Sequence, residues 1–400
     1  MNRQLYEAIG FFTEQTRIMP CLSVTCGTAE GEEHALRGVM NRGGDPLTED
    51  ALYDLASLTK LFTGLLVMRL QEEGLLDLSA PVTRYAPRFR HLDGVSVDSV
   101  LGFEVGLVTP RRVDAQPTAE EALRQLEDIA PQVVTGRYYS DMHAMVLKYV
   151  IEGAGGESYE TLAQEKIFHP LGMKDTFCRV PEEERRRCVD YSGEHRIERG
   201  RYIHRETIIP GTPHDPKAQL LWPEGCGHAG MFATRGDMVK LCQGLLQGKV
   251  VSRESLLAMA RNRTGRRLSE GVYTQYLGSQ CYVKHPQQYY SEIPVYMSDR
   301  AIGLSGFTGH HLAVDMERGI FTLFLGNRVL DRLTVLVPEE GRSLTDYGLN
   351  PDGTGQVLWP DGRMVYSSVN YVHQKDEHLH RVVMDVLGLA RWHRAGSEWP

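Results

Sequence analysis

Leu55-Ala56-Ser57-Leu58-Thr59-Lys60-Leu61-Phe62-Thr63-Gly64-Leu65-Leu66 is the stretch around which this chain of 400 residues organises itself. Leu58, Leu61, Phe62, Leu65 and Leu66 fall at the i, i+3, i+4, i+7, i+8 spacing of a buried helical face. Gly74 stands where a helix stop is expected, with Leu75, Leu76 and Leu78 beyond it. Ser57 therefore falls in the first turn, where free backbone N–H groups and the positive end of the dipole favour developing negative charge. Lys60 lies three residues on, on the same face. Among Leu and Phe side chains its ammonium is expected to be partly desolvated and its pKa pushed down. A Ser hydroxyl needs an adjacent base to become a nucleophile, and such a Lys can supply one. Taken alone the pair also fits coincidence, because a Ser-x-x-Lys arises about once in a chain of this length at average usage. A Ser before a helix is also a common N-cap.

Composition bounds the rest. Four hundred residues bury a substantial core and suggest two domains, or one large domain with an insertion. Hydrophobic residues at 42% and charged residues at 24% are ordinary globular values. A net charge of −8 argues against nucleic acid or an anionic membrane as partner. The basic run Arg185-Arg186-Arg187 follows Glu182-Glu183-Glu184 and reads as a solvated face with pairing charges. No signal peptide is visible over Met1–Pro20, and no apolar window is long enough to span a membrane. The 7 Cys form an odd, scattered set without a C-x-x-C pair, which fits reduced thiols in a cytoplasm.

Along the chain, residues 2–17 read as a short amphipathic helix. Cys21–Cys26 and Ala35–Met40 read as two strands joined by a polar turn. The clearest later helices are Thr118–Ile129, Met142–Glu152, Ser158–Phe168 and Thr234–Gln247, and Thr234 with Asp237 resembles a capping box. Beyond residue 270 the period changes: His311–Asp315 and Ile320–Leu325 form a plausible hairpin, as do Val357–Trp359 and Met364–Tyr366. Arg381–Leu387 closes as a helix. Strands at both ends with helices between them describe an α+β chain.

Two further clusters bear on Ser57. Tyr138-Tyr139-Ser140-Asp141 precedes a helix. A Tyr beside a cationic Lys can share protons with a Ser hydroxyl, and Asp141 could orient Lys60 or accept from a substrate amide. The same tetrapeptide also fits an N-cap Asp with surface tyrosines. Gly303-Leu304-Ser305-Gly306-Phe307-Thr308-Gly309 precedes the His311–Asp315 strand. Glycines there let backbone N–H groups approach a ligand, or simply make a turn. An N–H of this segment, with that of Ser57, could form an oxyanion hole, worth on the order of 10²–10³ in rate per donor.

In this order the three clusters resemble the serine β-lactamase and penicillin-binding-protein superfamily, in its class C β-lactamase and esterase branch. Ser57–Lys60 is similar to its Ser-x-x-Lys element, Tyr139–Asp141 to Y-x-N, and Leu304–Gly306 to K-T-G or H-x-G. Further similar stretches are Tyr53–Ala56, Pro170–Thr176, His214-Asp215, Gly227–Phe232 and Leu325–Arg328, so the likeness runs from about Pro20 to Asn327. The resemblance implies an α+β, β-lactamase/transpeptidase-like fold, an antiparallel sheet flanked by helices with an inserted, mostly helical domain. Residues 1–78 and 275–400 would form the sheet domain, 79–274 the helical domain, and the active site would lie at their interface.

It also implies roles. Ser57 would attack an acyl carbonyl, Lys60 and Tyr139 would move protons, and the N–H groups of Ser57 and Phe307 would hold the oxyanion. Asp141, Leu304, Ser305, Gly306 and Phe307 would line the substrate. No metal or organic cofactor is implied, and His214, His228, His310-His311 and His378-x-His380 read as structural or surface residues.

Three departures matter. Leu304 stands where the family has Lys or His, which makes recognition of a β-lactam or free carboxylate doubtful and favours an uncharged ester or amide. Asp141 replaces the usual Asn. Val100–Leu107 replaces a family stretch of the L-L-x-H-T-S-G-L type. The segment Asp331–Gln374, with its Trp359-Pro360-Asp361-Gly362 tip, could be a lid, an oligomer contact or an inert hairpin. The expected function is a serine hydrolase acting through an acyl-Ser57 on a small ester, amide or peptide: an esterase, D-peptidase or weak β-lactamase. The alternatives are an acyltransferase and a non-catalytic ligand-binding or sensor descendant. A Ser-His-Asp hydrolase is disfavoured because no Gly-x-Ser-x-Gly elbow occurs. The oligomeric state is not legible.

Overall fold

The computed structural model describes residues 1–134, 137–206, 208–221, 225–287 and 292–389. The first helix is α1, Arg3–Gly10, continued by a wider π turn over Phe11–Gln15. Asn2 caps it by accepting from the N–H groups of Gln4 and Leu5. β1 (Cys21–Thr28) and β2 (Glu32–Gly38) form the expected hairpin, with Val24 opposite Ala35. β2 starts and ends earlier than its apolar run suggests. The turn closes at once through a Thr28 N–H to Gly31 carbonyl bond of 2.8 Å, and Gly38, at φ +105°, ends the strand.

Ser57 occupies a single 3₁₀ turn, Ala56–Leu58, that feeds α2, Thr59–Glu72. Every residue from Thr59 to Met68 is buried, so α2 is the central helix of the main core rather than one with a single apolar face. It packs against α3, Asp141–Gly155. The middle of the chain also contains a strand pair that periodicity does not reveal, β3 (Glu194–Glu198) and β4 (Arg201–Arg205), followed by the short helix α4, Pro216–Leu221. α5, Arg235–Leu246, is capped by Thr234, whose side chain accepts from the Asp237 N–H at 3.3 Å. Asp237 does not complete a capping box. Its carboxylate instead accepts from the Asp175 N–H and the Thr176 hydroxyl at 2.7 and 2.9 Å.

The glycine-rich segment is a strand, β5 (Ala301–Gly306), up to Gly306, and the expected turn over Phe307–Gly309, closed by the Gly309 N–H to Gly306 carbonyl bond of 3.0 Å. β6 (His310–Asp315) and β7 (Ile320–Asn327) form the expected hairpin, and the order β5-β6-β7-β1-β2 is antiparallel throughout. Along β7, Phe321, Leu323 and Leu325 face the main core, while Ile320 and Phe324 face a second core. That second core also takes Leu5 and Ile9 of α1 and residues of the last helices, α6 (Tyr371–His378) and α7 (His380–Val386). α1, α6 and α7 thus cover one face of the sheet.

The segment after Asp331 contributes three strands, β8 (Arg332–Val337), β9 (Gln356–Leu358) and β10 (Met364–Ser367). The expected β9–β10 hairpin is present, and it sits in a second sheet of order β9-β10-β8-β3-β4, in which β8 runs parallel to β3 and β10. Trp359 packs edge-on against His195 and Tyr202, fixing the hairpin tip to β3 and β4. None of the seven cysteines forms a disulfide, and burial pushes the thiols of Cys21, Cys26, Cys188 and Cys281 up to about 12. Among the described residues no helix is long and apolar enough to cross a membrane.

Candidate active site

The Ser57 turn is held from both sides by Asp54, a fully buried carboxylate. One oxygen accepts from the Ala56 N–H at 3.0 Å and the other from the His214 N–H at 2.6 Å. Ala56, at φ +45°, takes the left-handed conformation, which places Ser57 at the start of the helical turn. The backbone carbonyl of Asp54 accepts from the Thr308 hydroxyl at 2.9 Å and from His310 Nε2 at 2.6 Å. His310 Nδ1 accepts from the Gly326 N–H at 3.1 Å, so the ring is neutral with its proton on Nε2, and burial lowers its pKa to about 4. Gly306 completes the junction: a Cβ there would stand 2.8 Å from the Leu55 carbonyl oxygen. The third cluster and the Ser57 turn are therefore in direct contact, and His310 is a buried structural residue.

Ser57, Lys60, Tyr139 and Asp141 come together as expected. Lys60 Nζ is fully buried, 3.0 Å from Ser57 Oγ, 3.2 Å from the His228 carbonyl and 2.8 Å from Asp141 Oδ1. It also lies 5.0 Å from the centre of the Tyr139 ring. The expected downward shift of Lys60 does not occur. Burial pulls in that direction, but the Asp141 carboxylate and Tyr139 outweigh it and hold the ammonium above the ordinary lysine value. Burial likewise favours the neutral form of Asp141, yet Lys60, His228 and Lys217 keep it well below the usual carboxylate range. Lys60 is thus a stable cation.

Three more residues close a ring that the sequence did not single out as a site. Lys217 Nζ lies 3.1 Å from Asp141 Oδ2 and 3.4 Å from Asp215 Oδ2. Asp215 Oδ1 is 2.9 Å from His228 Nε2, and the His228 carbonyl returns to Lys60. His228 is therefore a buried member of the site. Asp141, Asp215 and His228 bring ligand-type atoms within 4.8 Å of one another, but the Lys217 ammonium already bonds both carboxylates and supplies the cation there. His214-Asp215 and Gly227-His228 were visible as family-like stretches; Lys217 carried no signal of its own.

The altered loop backs Tyr139. Phe103 is fully buried, takes φ +59° and stacks on the Tyr139 ring at 5.5 Å, while Tyr282 stacks on the other side at 5.2 Å. The loop is pinned by Gln280 Nε2 on the carbonyls of Val100 and Leu101, and by His143 Nε2 at 2.8 Å from the Val105 carbonyl. Gln275 Oε1 accepts from the N–H groups of Tyr138 and Tyr139 at 2.9 and 3.0 Å.

The third cluster divides. Leu304 is 1% exposed and belongs to the main core, opposite Leu312. The Ser305 hydroxyl is engaged by Glu292 and, at 3.2 Å, by His311 Nδ1, in a network that includes the buried Lys375. His311 is thus buried as well, not a surface residue. The Phe307 ring lies among His214, Arg328 and Arg196, at 5.5, 5.0 and 5.3 Å.

An antiparallel sheet covered by helices, with a Ser-Lys pair at the head of the buried central helix, has the β-lactamase/transpeptidase-like fold. The chain belongs to the Beta-lactamase family, whose profile matches residues 23–335. A Salmonella typhi protein named as a D-alanyl-D-alanine carboxypeptidase is 26% identical over 305 residues, 70% of each chain. EstCE1, described as a hydrolase with promiscuous acyltransferase activity, superposes with a TM-score of 0.65 at 19% identity over 81% of this chain and 93% of its own. A mutant of simvastatin synthase from Aspergillus terreus superposes with a TM-score of 0.64 at 16% identity over 95% of this chain and 97% of its own.

Proposed function

We propose that this chain is a serine hydrolase that forms an acyl-enzyme at Ser57 on a small, uncharged ester or amide. The observation that carries the reading is the Ser57 Oγ to Lys60 Nζ distance of 3.0 Å, with Lys60 held by Asp141 and the His228 carbonyl. An ammonium donates to Ser57 Oγ and cannot also take its proton. The base is then the phenolate of Tyr139, beside Lys60, which takes the Ser57 proton as the hydroxyl attacks and passes it on to the leaving group. Lys60 stays charged and stabilises the negative charge that builds on this pair. The N–H groups of Ser57 and Phe307 receive the carbonyl oxygen. Water, activated through the same Tyr139, releases the acid.

Leu304 supports an uncharged substrate, because an apolar core residue stands where a carboxylate would need a cation. The division into a sheet unit (1–78 and 275–400) and a helical unit (79–274), with the site between them, is part of the proposal. The strands β3 and β4 of the middle segment dock onto the sheet unit. The test uses short-chain p-nitrophenyl esters, nitrocefin and a fluorescent phosphonate. Ester turnover and phosphonate labelling are expected in the native chain and lost in Ser57→Ala, with nitrocefin the poorer substrate. Absence of both turnover and labelling at Ser57 would overturn the reading in favour of a binding protein.

A further inference from the structure

Asp141 is bonded at both oxygens, by Lys60 on one and Lys217 on the other, at 2.8 and 3.1 Å. A carboxylate bridging two ammonium groups is fixed in orientation as well as in charge, since either contact alone leaves the side chain free to turn about its last bond. Lys217 is itself built in. Asp215 precedes α4 and accepts from the Lys217 and Ala218 N–H groups, each at 2.9 Å, which fixes the backbone from which Lys217 projects. The Lys217 side chain is only 16% exposed. A lysine this buried is retained against a desolvation cost only where its partners repay it.

We propose that Lys217 is a positioning residue for nucleophile activation: it holds the Asp141 carboxylate in the orientation that binds Lys60 and supplies the second cation of the site. The inference rests on the reading of Ser57 as nucleophile and Tyr139 as its proton acceptor. The charged groups facing Lys217 are Asp141 on α3, Asp215 beside it in the chain and Asp114 from the preceding loop; Lys60 and His228 lie one partner further on. Burial would lower Lys217, but Asp215 and Asp141 raise it, so it carries its charge throughout the working pH range. Without Lys217 one oxygen of Asp141 loses its ammonium partner and the carboxylate is free to turn away from Lys60, so acylation of Ser57 slows.

The readout is the rate of Ser57 labelling by a fluorescent fluorophosphonate, with p-nitrophenyl acetate kcat and KM beside it. Native labelling that Ser57→Ala abolishes secures the underlying reading; its failure there sinks that reading, and this inference with it. Given labelling, Lys217→Gln is expected to slow labelling and lower kcat by about 10²-fold while KM stays near the native value. Lys217→Arg, which keeps the charge, is expected to retain most of the native rate. Should Lys217→Gln alone not fold, Asp141→Asn/Lys217→Gln is compared with Asp141→Asn; with no carboxylate left to orient, the added substitution is expected to cause no further loss of rate. A native kcat and labelling rate in Lys217→Gln overturn the proposal. So does a Lys217→Arg rate as low as that of Lys217→Gln.

Discussion

Lys60→Met is expected to slow acylation of Ser57 by about 10²–10⁴-fold and to destabilise the fold by about 3–5 kcal/mol. The two losses have different causes. Acylation falls because Ser57 Oγ loses the cation 3.0 Å away that aligns it and stabilises the negative charge of the proton-transfer step. Stability falls because Asp141 keeps a partly buried negative charge while losing the nearer of its two ammonium partners. Adding Asp141→Asn separates them. In Lys60→Met/Asp141→Asn the uncompensated charge is gone, so the urea midpoint should recover most of its loss while labelling at Ser57 stays slow. Recovery of both together would show that Lys60 matters only as the partner of Asp141.

Asp54→Ala is the second large effect, and it removes nothing that touches the Ser57 hydroxyl. It orphans two buried N–H groups, those of Ala56 and His214, at about 1–3 kcal/mol each. It also frees Ala56 from a backbone conformation that a residue with a Cβ adopts only under constraint. Ser57 is then displaced relative to β5, so kcat is expected to fall together with stability. Asp54→Asn retains the bulk and one acceptor. It should lie between native and Asp54→Ala in both thermal midpoint and kcat, while KM, set by the substrate walls, changes little. A native kcat in Asp54→Ala would show that the turn keeps its geometry without this carboxylate.

The readable part of this site was local. Ser57 and Lys60 share one helical turn, and Tyr139 and Asp141 share another helix start, so spacing alone placed each pair. The charge state of Lys60 was not readable that way. Its neighbours in sequence are apolar and predict a depressed pKa, whereas its neighbours in space include Asp141 and reverse the sign. Lys217 and His228 reach the same point from a loop and a helix start far along the chain, and only the tertiary path reveals that they close the ring. β5 was concealed by its glycines, which suit a turn as well as they suit a strand that must press Gly306 against the Leu55 carbonyl. The second sheet was hidden for a related reason. β8 pairs in parallel with β3, and parallel partners leave no turn in the sequence to announce them.

The pairing of β1 with β7 sets a constraint on synthesis. Cys21 aligns with Asn327, so one side of β1 waits for roughly three hundred residues to be added. At ribosomal rates that is roughly 15–60 s during which the β1–β2 hairpin leaves the nascent chain with an unsatisfied edge. Leu22, Val24 and Cys26, all buried in the finished fold, line that hairpin. An open edge of this kind is a template for wrong partners. Translation speed and chaperone supply should therefore limit the yield of soluble protein more than the equilibrium stability of the completed chain.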